Sequence, residues 1–294
     1  MIRKLLGRIF RRKSSVEDHP KTWVKRHAEV MRASELGLDL ALISHAALRT
    51  CQTLQQAGFN AFVVGGGVRD LLLGRRPKDF DVATNATPEE VVKLFRRART
   101  IGRRFQIVHV HFGRELIEVS TFRAIQTEAE TDAHGRVLKD NVWGSQEEDA
   151  ARRDFTVNAL YLDPIRDQLL DYHHGYRDLQ ARTLRMIGDP ASRYREDPVR
   201  MLRVARFAAK LGFSIEPQTR APIAAMADLL THVPAARLFD ELLKLLTSGH
   251  ALACIQTLRS EGLHHGLLPL LDGIFASDAG CLLYTSPSPR DVEE

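Results

Sequence analysis

The periodicity of hydrophobic and polar residues changes part-way along the chain. In the first half, short apolar runs are bounded by glycine and polar residues, whereas from about Gln146 onward apolar residues recur at helical spacing and strand-like runs become rare. The first half predicts a helix, a buried strand, a second strand and two paired strands over residues 44–58, 61–64, 80–83, 107–112 and 116–122. The pattern predicts an α+β head followed by a helical part.

Two short helices of the head have recognisable boundaries. Three glycines at 65–67 follow the first strand, and the apolar pattern over 68–73 predicts a short helix that ends at Gly74. The second helix begins at residues 87–90, where threonine occupies the N-cap, proline N1 and glutamate N3.

Composition narrows the class of protein. The 294 residues suffice for one large or two ordinary domains, and a hydrophobic fraction of 44% allows a packed core. Apolar runs fall short of the ~20 residues that span a bilayer, and no apolar stretch follows the basic N-terminus as in a signal peptide. We therefore expect no integral membrane segment. Three widely spaced cysteines argue against a disulfide framework or a cysteine zinc site, and favour a reducing, cytoplasmic location.

Positive charge is concentrated in short runs. The net charge is +5, and residues 1–13 and 93–104 each hold six Lys or Arg and no acid. We expect the N-terminal run to be a solvated arm, with contact to RNA or to a membrane surface as alternatives. Residues 277–294 show no clear period and are rich in serine and proline, so no function is assigned to them.

Asp79 and Asp81 are the strongest candidates for chemistry. Residues i and i+2 of a strand face the same side, so the two carboxylates project together while Phe80 and Val82 face the core. Adjacent carboxylates repel each other, and a fold that keeps them together typically binds a divalent cation through oxygen ligands. A lone Asp-x-Asp is more often a solvated turn, but here a strand, the glycine triplet and a helix start lie just upstream.

The glycine triplet is a candidate phosphate site. Without side chains, glycines let phosphates approach backbone amides at a helix start. The alternative is a tight strand-to-helix turn, and the segment matches neither a dinucleotide fingerprint nor a Walker A loop. Arg69, at the start of the helix, either contacts a triphosphate or pairs with Asp70 or another local acid.

These segments resemble the signature of the class II tRNA CCA-adding enzyme and bacterial poly(A) polymerase family. The resemblance begins with Gly65–Arg75 and Lys78–Thr84. Three more segments are similar to later motifs of the family, in the family's order, namely Arg152–Leu160, Arg195–Arg203 and Pro234–Leu238 with Glu241. The matches extend over residues 35 to 275. The resemblance implies a polymerase-β-like nucleotidyltransferase head with a mixed sheet, followed by an all-helical neck.

Two activities occur in the family, and one segment favours the first. Gly102-Arg103-Arg104-Phe105 resembles the segment that marks the poly(A) polymerase branch. The resemblance implies an Mg²⁺-dependent polynucleotide adenylyltransferase, with two ions, that adds AMP from ATP to RNA 3′ ends. We expect a monomer. The alternatives are a CCA-adding enzyme and a catalytically degenerate RNA-binding protein.

The resemblance also assigns roles to residues. Asp79, Asp81 and Asp154 are the expected catalytic carboxylates, and Asp79 and Asp81 the metal ligands. Glu118, on a predicted neighbouring strand, is the rival third acid. The alternative role of Asp154 is a helix N-terminal cap or an ion pair with Arg152 or Arg153. The other expected contacts are Gly66, Gly67, Arg69, Arg153, Asn158, Asp197, Arg200 and Arg203 for the nucleotide, and Arg103, Arg104 and Arg206 for RNA.

Further roles have structural alternatives. Asn158 also suits a polar position on a helix surface. Asp197 precedes Pro198 and is therefore also suited to cap a helix. Arg200, Arg203, Arg206 and Lys210 form one basic stripe on a helix, which either lines a phosphate cleft or is a solvated face.

We predict four segments in order along the chain. These are a basic arm (1–34), the nucleotidyltransferase head (35–182), a helical neck that binds nucleotide and RNA (183–276) and an unstructured tail (277–294). Poly(A) polymerases of this family continue into a longer basic body, so the neck is expected to be truncated.

Overall fold

The computed structural model describes residues 27–102, 106–125 and 142–267. Arg103, Arg104, residues 1–13 and the predicted tail lie outside the described residues. Within the described ranges, no helix has the length and apolar character needed to cross a membrane.

The secondary structure of the described residues confirms an α+β head before a mainly helical neck. The strands are β1 (Glu29–Arg32), β2 (Ala61–Val64), β3 (Asp81–Thr84), β4 (Ala98–Ile101), β5 (Ile107–Phe112), β6 (Glu115–Thr121), β7 (Leu160–Asp163), β8 (Gln168–Asp171), β9 (Thr183–Leu184) and β10 (Ser214–Ile215). The α-helices are α1 (His45–Gln56), α2 (Gly66–Leu72), α3 (Pro88–Leu94), α4 (Gln146–Arg152), α5 (Gly175–Gln180), α6 (Pro190–Glu196), α7 (Val199–Leu211), α8 (Pro217–Arg220), α9 (Ile223–Met226), α10 (Ala235–Leu246) and α11 (Ala251–Ser260). Short 3₁₀ turns cover Ser34–Leu36, Leu40–Leu42, Thr156–Asn158 and Ala227–His232.

The helices α1 and α3 begin where the sequence predicted, and a side chain caps each of them. Ser44 caps α1 by accepting from the backbone N–H of Ala47. Thr87 and Glu90 form the predicted capping box of α3, with Pro88 at its first position. These bonds satisfy backbone donors that a helix start leaves without partners.

The head is built on one mixed eight-stranded sheet. Its strand order is β1-β8-β7-β2-β3-β6-β5-β4. β3 and β6 run parallel, and every other described neighbouring pair of this sheet is antiparallel. β1 lies within the predicted arm, so residues before 35 contribute an edge strand to the head.

Strands β7 and β8 depart from the helical pattern expected after Gln146. All four residues of β7 are buried, including Asp163, so this strand shows no alternation of exposed and buried positions. A short, fully buried strand cannot be distinguished from a buried helix segment by periodicity. Its place beside β2 is therefore set by tertiary packing.

The two faces of the sheet are covered differently. On one face, α1 and α3 cover a large apolar cluster that includes Val63, Val82 and Val119. On the other face, Ala150 of α4 packs with a smaller cluster around Tyr161. This second face, which we call the open face, is the one on which Asp81 lies, because Asp81 is opposite Val64 of the smaller cluster in the register of β2 and β3.

The neck has its own core. α7 is its central helix and packs against α10 and α11. The two-residue strands β9 and β10 pair in parallel, so the neck is helical apart from this pair. Phe155, from the loop after α4, is buried in the neck core, and this contact joins the 152–160 segment to α7.

A buried ion pair fastens α7 to α10. The Arg206 guanidinium donates to Glu241 at 2.6 Å, and the two side chains are 12% and 6% exposed. Lys244 lies 3.9 Å from the other carboxylate oxygen of Glu241, but its own side chain is 64% exposed. Arg206, an expected RNA contact, is therefore bound within the neck in this conformation.

Arg206→Ala should lower the free energy of unfolding by about 3–5 kcal/mol, because it leaves the Glu241 carboxylate buried without its partner. Urea unfolding followed by circular dichroism measures this loss. Lys244→Ala is the matched control, since an exposed ion pair contributes under about 1 kcal/mol. The double variant Arg206→Met with Glu241→Met should recover most of the lost free energy of unfolding. Equal losses in Arg206→Ala and Lys244→Ala would contradict the pairing of Arg206 with Glu241.

Candidate active site

Three carboxylates meet at the amino end of β3 on the open face. Asp81 is the first residue of β3 and lies directly opposite Glu118 in the parallel register with β6. Asp79 precedes β3 by two residues. All three are exposed, while Phe80 and Val82 are buried, so the predicted alternation is confirmed. Asp79 and Asp81 project to the same side, and Glu118 joins them.

Burial and the neighbouring acids change the pKa of Asp81. Partial burial, together with the negative charges of Glu118 and Asp79, raises the pKa of Asp81 to about 6, against an opposing effect of Arg153. A cation placed between these carboxylates would reverse the effect, since an opposite charge favours the ionised form.

The glycine turn approaches this carboxylate group closely. Gly65 has φ +74° and ψ −137°, and a Cβ there would lie 3.7 Å from Asp81 Oδ2 and 3.5 Å from Arg153 Nη1. A Cβ on Gly67 would lie 3.2 Å from the Phe80 ring and 3.3 Å from the Asp79 carbonyl oxygen. The triplet is therefore a tight strand-to-helix turn, and it also leaves a narrow gap beside the acids.

Arg69 is buried and pairs with local partners. It donates to Asp70 at 2.7 and 2.9 Å and to the Asn158 side-chain oxygen at 2.7 Å, and its guanidinium carbon lies 5.6 Å from the centre of the Phe207 ring. Arg69 thus links α2 of the head to α7 of the neck. The local ion pair considered from the sequence is present, and Asn158 is its second partner.

Arg153 is also held from several sides. It donates to Asp149, to the Tyr161 hydroxyl and to the Asn158 carbonyl oxygen. Burial by itself lowers the pKa of Arg153, but Tyr161 and Asp149 outweigh it, so its pKa is raised. Asp149 and Tyr161 were not expected at the site, although Asp149 stands four residues before Arg153, at ion-pair spacing on a helix.

Asp154 faces three arginines of the neck. Arg200 Nε donates to it at 3.1 Å, Arg203 Nη1 forms a short ion pair with it, and Arg193 Nη2 lies 3.9 Å away. An ion pair with Arg152 or Arg153 was one alternative predicted for Asp154. The structure shows an ion pair, but its partners are Arg193, Arg200 and Arg203. Glu196 accepts from both Arg193 and Arg200, so the cluster of three arginines and two acids carries a formal charge of +1.

Asp197 and Arg200 have separate partners. The Asp197 carboxylate accepts from Arg237 of α10 at 3.0 and 3.1 Å. It does not cap α7 through its side chain; instead Asp197 ends α6, and its carbonyl oxygen accepts from the Arg200 N–H. The basic stripe of α7 is therefore not a solvated face, because Arg200, Arg203 and Arg206 all meet acids of other segments.

The part of the chain that the structure describes contains no group of three or more His, Cys, Asp or Glu side chains arranged to hold a metal by themselves. Asp79, Asp81 and Glu118 form an open set of oxygen donors. This fits Mg²⁺, which usually takes one or two protein carboxylates and completes its octahedron with phosphates and water.

Comparison with known proteins decides the family. Residues 61–185 match the family described as "Poly A polymerase head domain", and residues 212–274 match "Probable RNA and SrmB- binding site of polymerase A". Poly(A) polymerase I of Haemophilus influenzae is 49% identical over 253 residues, which are 84% of this chain and 56% of that protein. The chain belongs to the class II tRNA nucleotidyltransferase and poly(A) polymerase family.

Other members of this family are more distant. The CCA-adding enzyme of Lactobacillus helveticus is 39% identical over 71% of the chain and 52% of its own length. The crystal structure of the Bacillus stearothermophilus CCA-adding enzyme in complex with CTP superposes with a TM-score of 0.66 at 36% identity, over 75% of this chain and 53% of that one. The chain spans about half the length of the curated relatives it matches.

Asp81→Asn should stabilise the protein above pH 6 and have no effect near pH 4. When folding raises the pKa of a carboxyl, the protein loses stability as the pH rises from the unfolded pKa of about 4 to the folded pKa near 6. The amide of the asparagine variant does not titrate, so the variant avoids this loss. Solvent screening keeps the gain under about 1 kcal/mol. Thermal unfolding in EDTA at both pH values measures it.

Asp240→Asn is the matched control, because Asp240 is an exposed acid in the middle of α10. It should show no gain that depends on pH in this range. A Tm difference between Asp81→Asn and the wild type that stays constant from pH 4 to pH 8 would contradict the clustering of the three carboxylates.

Proposed function

We propose that the protein is a template-independent adenylyltransferase that adds AMP from ATP to RNA 3′ ends. The observation that carries this proposal is the group of Asp79, Asp81 and Glu118 beside the glycine turn, in a chain that is 49% identical to a poly(A) polymerase over most of its length. Exposed carboxylates that repel one another are the arrangement that nucleotidyl transfer needs for its cations. We further propose a cytoplasmic, monomeric enzyme.

Asp79 and Asp81 would hold the metal, and Glu118 would complete the donor set. Two Mg²⁺ ions, when bound, would lower the pKa of the attacking 3′-hydroxyl and neutralise charge on the departing pyrophosphate. The chain's own contribution is to hold the carboxylates in register on two paired strands. Asp81 must be ionised for this role. Protons would therefore compete with the cations for Asp81 up to about pH 6.

The nucleotide would lie between the glycine turn and α7. Gly66 and Gly67 let phosphates approach the start of α2, and the arginine cluster around Asp154 supplies the excess positive charge. Arg203 is the most open arginine of that cluster, with a side chain that is 36% exposed. Arg69 and Arg153 are committed to protein partners, so we assign them to positioning Asn158 and the turn.

Asp197 and Arg200 would read the base. A carboxylate accepts from the adenine amino group, and a guanidinium donates to a ring nitrogen. Arg237 uses one nitrogen for both oxygens of Asp197, which leaves acceptor capacity on the carboxylate. RNA contacts are proposed for Arg103 and Arg104 and for the 212–274 region, whereas Arg206 would first have to leave Glu241.

The second candidate is a CCA-adding enzyme. It is favoured by the shared fold and by the 36% identity to an enzyme whose structure contains CTP. The poly(A) assignment is favoured by the higher identity to poly(A) polymerases and by the Gly102-Arg103-Arg104-Phe105 segment. The two differ in one observable, the use of CTP.

The wild-type protein with Mg²⁺ should extend a short unstructured RNA with ATP alone and leave it unextended with CTP. Gel analysis after incubation with each nucleotide separately measures this. Asp81→Ala should lose at least ~10³-fold in AMP addition, because it removes a metal ligand, while Asp240→Ala should retain activity. CTP addition to a tRNA that lacks its 3′ end would transfer the assignment to the CCA-adding enzyme.

Glu118→Gln and Asp154→Asn should impair different steps. If Glu118 is the third metal carboxylate, its amide variant lowers kcat by about 10²-fold or more and raises the Mg²⁺ concentration needed for half-maximal rate. Asp154→Asn should raise the KM for ATP, because the three arginines lose their common anchor, and leave the Mg²⁺ requirement unchanged. The reverse pattern would assign the third metal ligand to Asp154.

A further inference from the structure

One row of side chains on the open face runs from the carboxylate site to the edge of the sheet. The register places Asp81 opposite Glu118, Glu118 opposite His109, and His109 opposite Arg99 of β4. Paired residues of adjacent strands face the same side, so all four side chains lie on the open face. His109 Nε2 is 3.5 Å from Glu118 Oε1, which confirms that these neighbours meet.

A second row, of His111 and Arg97, lies beside the first, two residues further along β5. His111 is two residues beyond His109, and its N–H donates to the Arg97 carbonyl oxygen at 2.9 Å, so the pairing continues past the start of β4. Val108 and Val110, between the histidines, are buried in the core on the other face. We call Arg97, Arg99, His109 and His111 the β4–β5 basic face.

The β4–β5 basic face is open, and its arginines meet no acid in the part of the chain that the structure describes. Arg97, Arg99 and His111 are exposed, and within the described ranges neither arginine forms an ion pair or side-chain hydrogen bond. The surface is also indented here, since Arg97, Ala98, Arg99, His111 and Gly113 line a depression. The arginines of α7, by contrast, meet acids.

The face has the length and the polarity of a path for a nucleic acid strand. Three strand spacings separate Asp81 from Arg99, or roughly 14 Å. A stacked strand rises about 3.4 Å per phosphate and covers that distance with about four nucleotides. The 3′ end would meet the acids, and the preceding phosphates would meet the histidines and then the arginines.

We propose that the β4–β5 basic face binds the last few nucleotides of single-stranded RNA and directs the 3′ end to Asp79, Asp81 and Glu118. This proposal rests on the proposed function for the identity of the strand. It adds an RNA contact on the sheet of the head to those proposed for Arg103, Arg104 and the 212–274 region.

The first test measures RNA affinity without catalysis. Arg97→Ala with Arg99→Ala should weaken binding of a 5′-fluorescein 15-mer oligoadenylate by about five- to tenfold in anisotropy titrations without ATP. The slope of log affinity against log salt should fall by about 1.4, since each phosphate contact to a single strand contributes about 0.7. The KM for ATP should not change.

Arg49→Ala with Lys93→Ala is the matched control. It removes the same charge from exposed positions on α1 and α3, which cover the opposite face of the sheet. Equal losses in the two double variants, or no loss in either, would overturn the proposal. Because binding is measured, the result stands apart from the proposed function: a protein that adds no AMP but shows this difference still has the RNA path.

A crosslink gives the direction of the strand. RNA with 4-thiouridine as its third nucleotide from the 3′ end should label the peptide that contains residues 97–114 of the wild-type protein. Labelling confined to α10 and α11 would overturn the proposed path.

Discussion

Three acids placed side by side are the constraint around which the site is built. β3 and β6 are the one parallel pair described in the large sheet, and their register sets Asp81 directly against Glu118, with Asp79 two residues away. Partial burial and the charges of the two neighbouring acids destabilise the ionised form of Asp81 and raise its pKa. Core packing of Phe80 and Val82 on the other face holds the acids in place. The repulsion is confined to these three side chains, and it is the feature on which the proposed cation site rests.

The arginines that surround the site are organised by acids rather than left free. Asp154 gathers Arg193, Arg200 and Arg203, and Asp197 and Glu241 each bind one arginine of their own. A buried guanidinium needs such partners, since an unpaired charge is costly away from water. These pairs also join the head to the neck and to α10. The same side chains therefore hold the head, the neck and α10 in their relative positions.

The two basic surfaces of the protein differ for this reason. On α7, arginines paired with acids have fixed directions, as the proposed recognition of a single nucleotide requires. On the β4–β5 basic face, the arginines have no acid partner among the described residues and lie at an exposed sheet edge, which suits the proposed contact with a flexible polyanion through charge more than through shape. Between them lie the carboxylates, where a nucleotide and an RNA end would meet.

Sequence alone was sufficient for the α+β class, for the position of α1, for the capping box of α3, and for the shared face of Asp79 and Asp81, because these depend on neighbours within a few residues. The order of motifs also identified the family. Strand β7, the pairing of Glu118 with Asp81, and the partners of Asp154, Asp197 and Arg206 were decided only by the tertiary structure. They join residues about 35 or more positions apart, or lie in fully buried segments without a period, and no local pattern encodes which distant strand or helix will pack alongside.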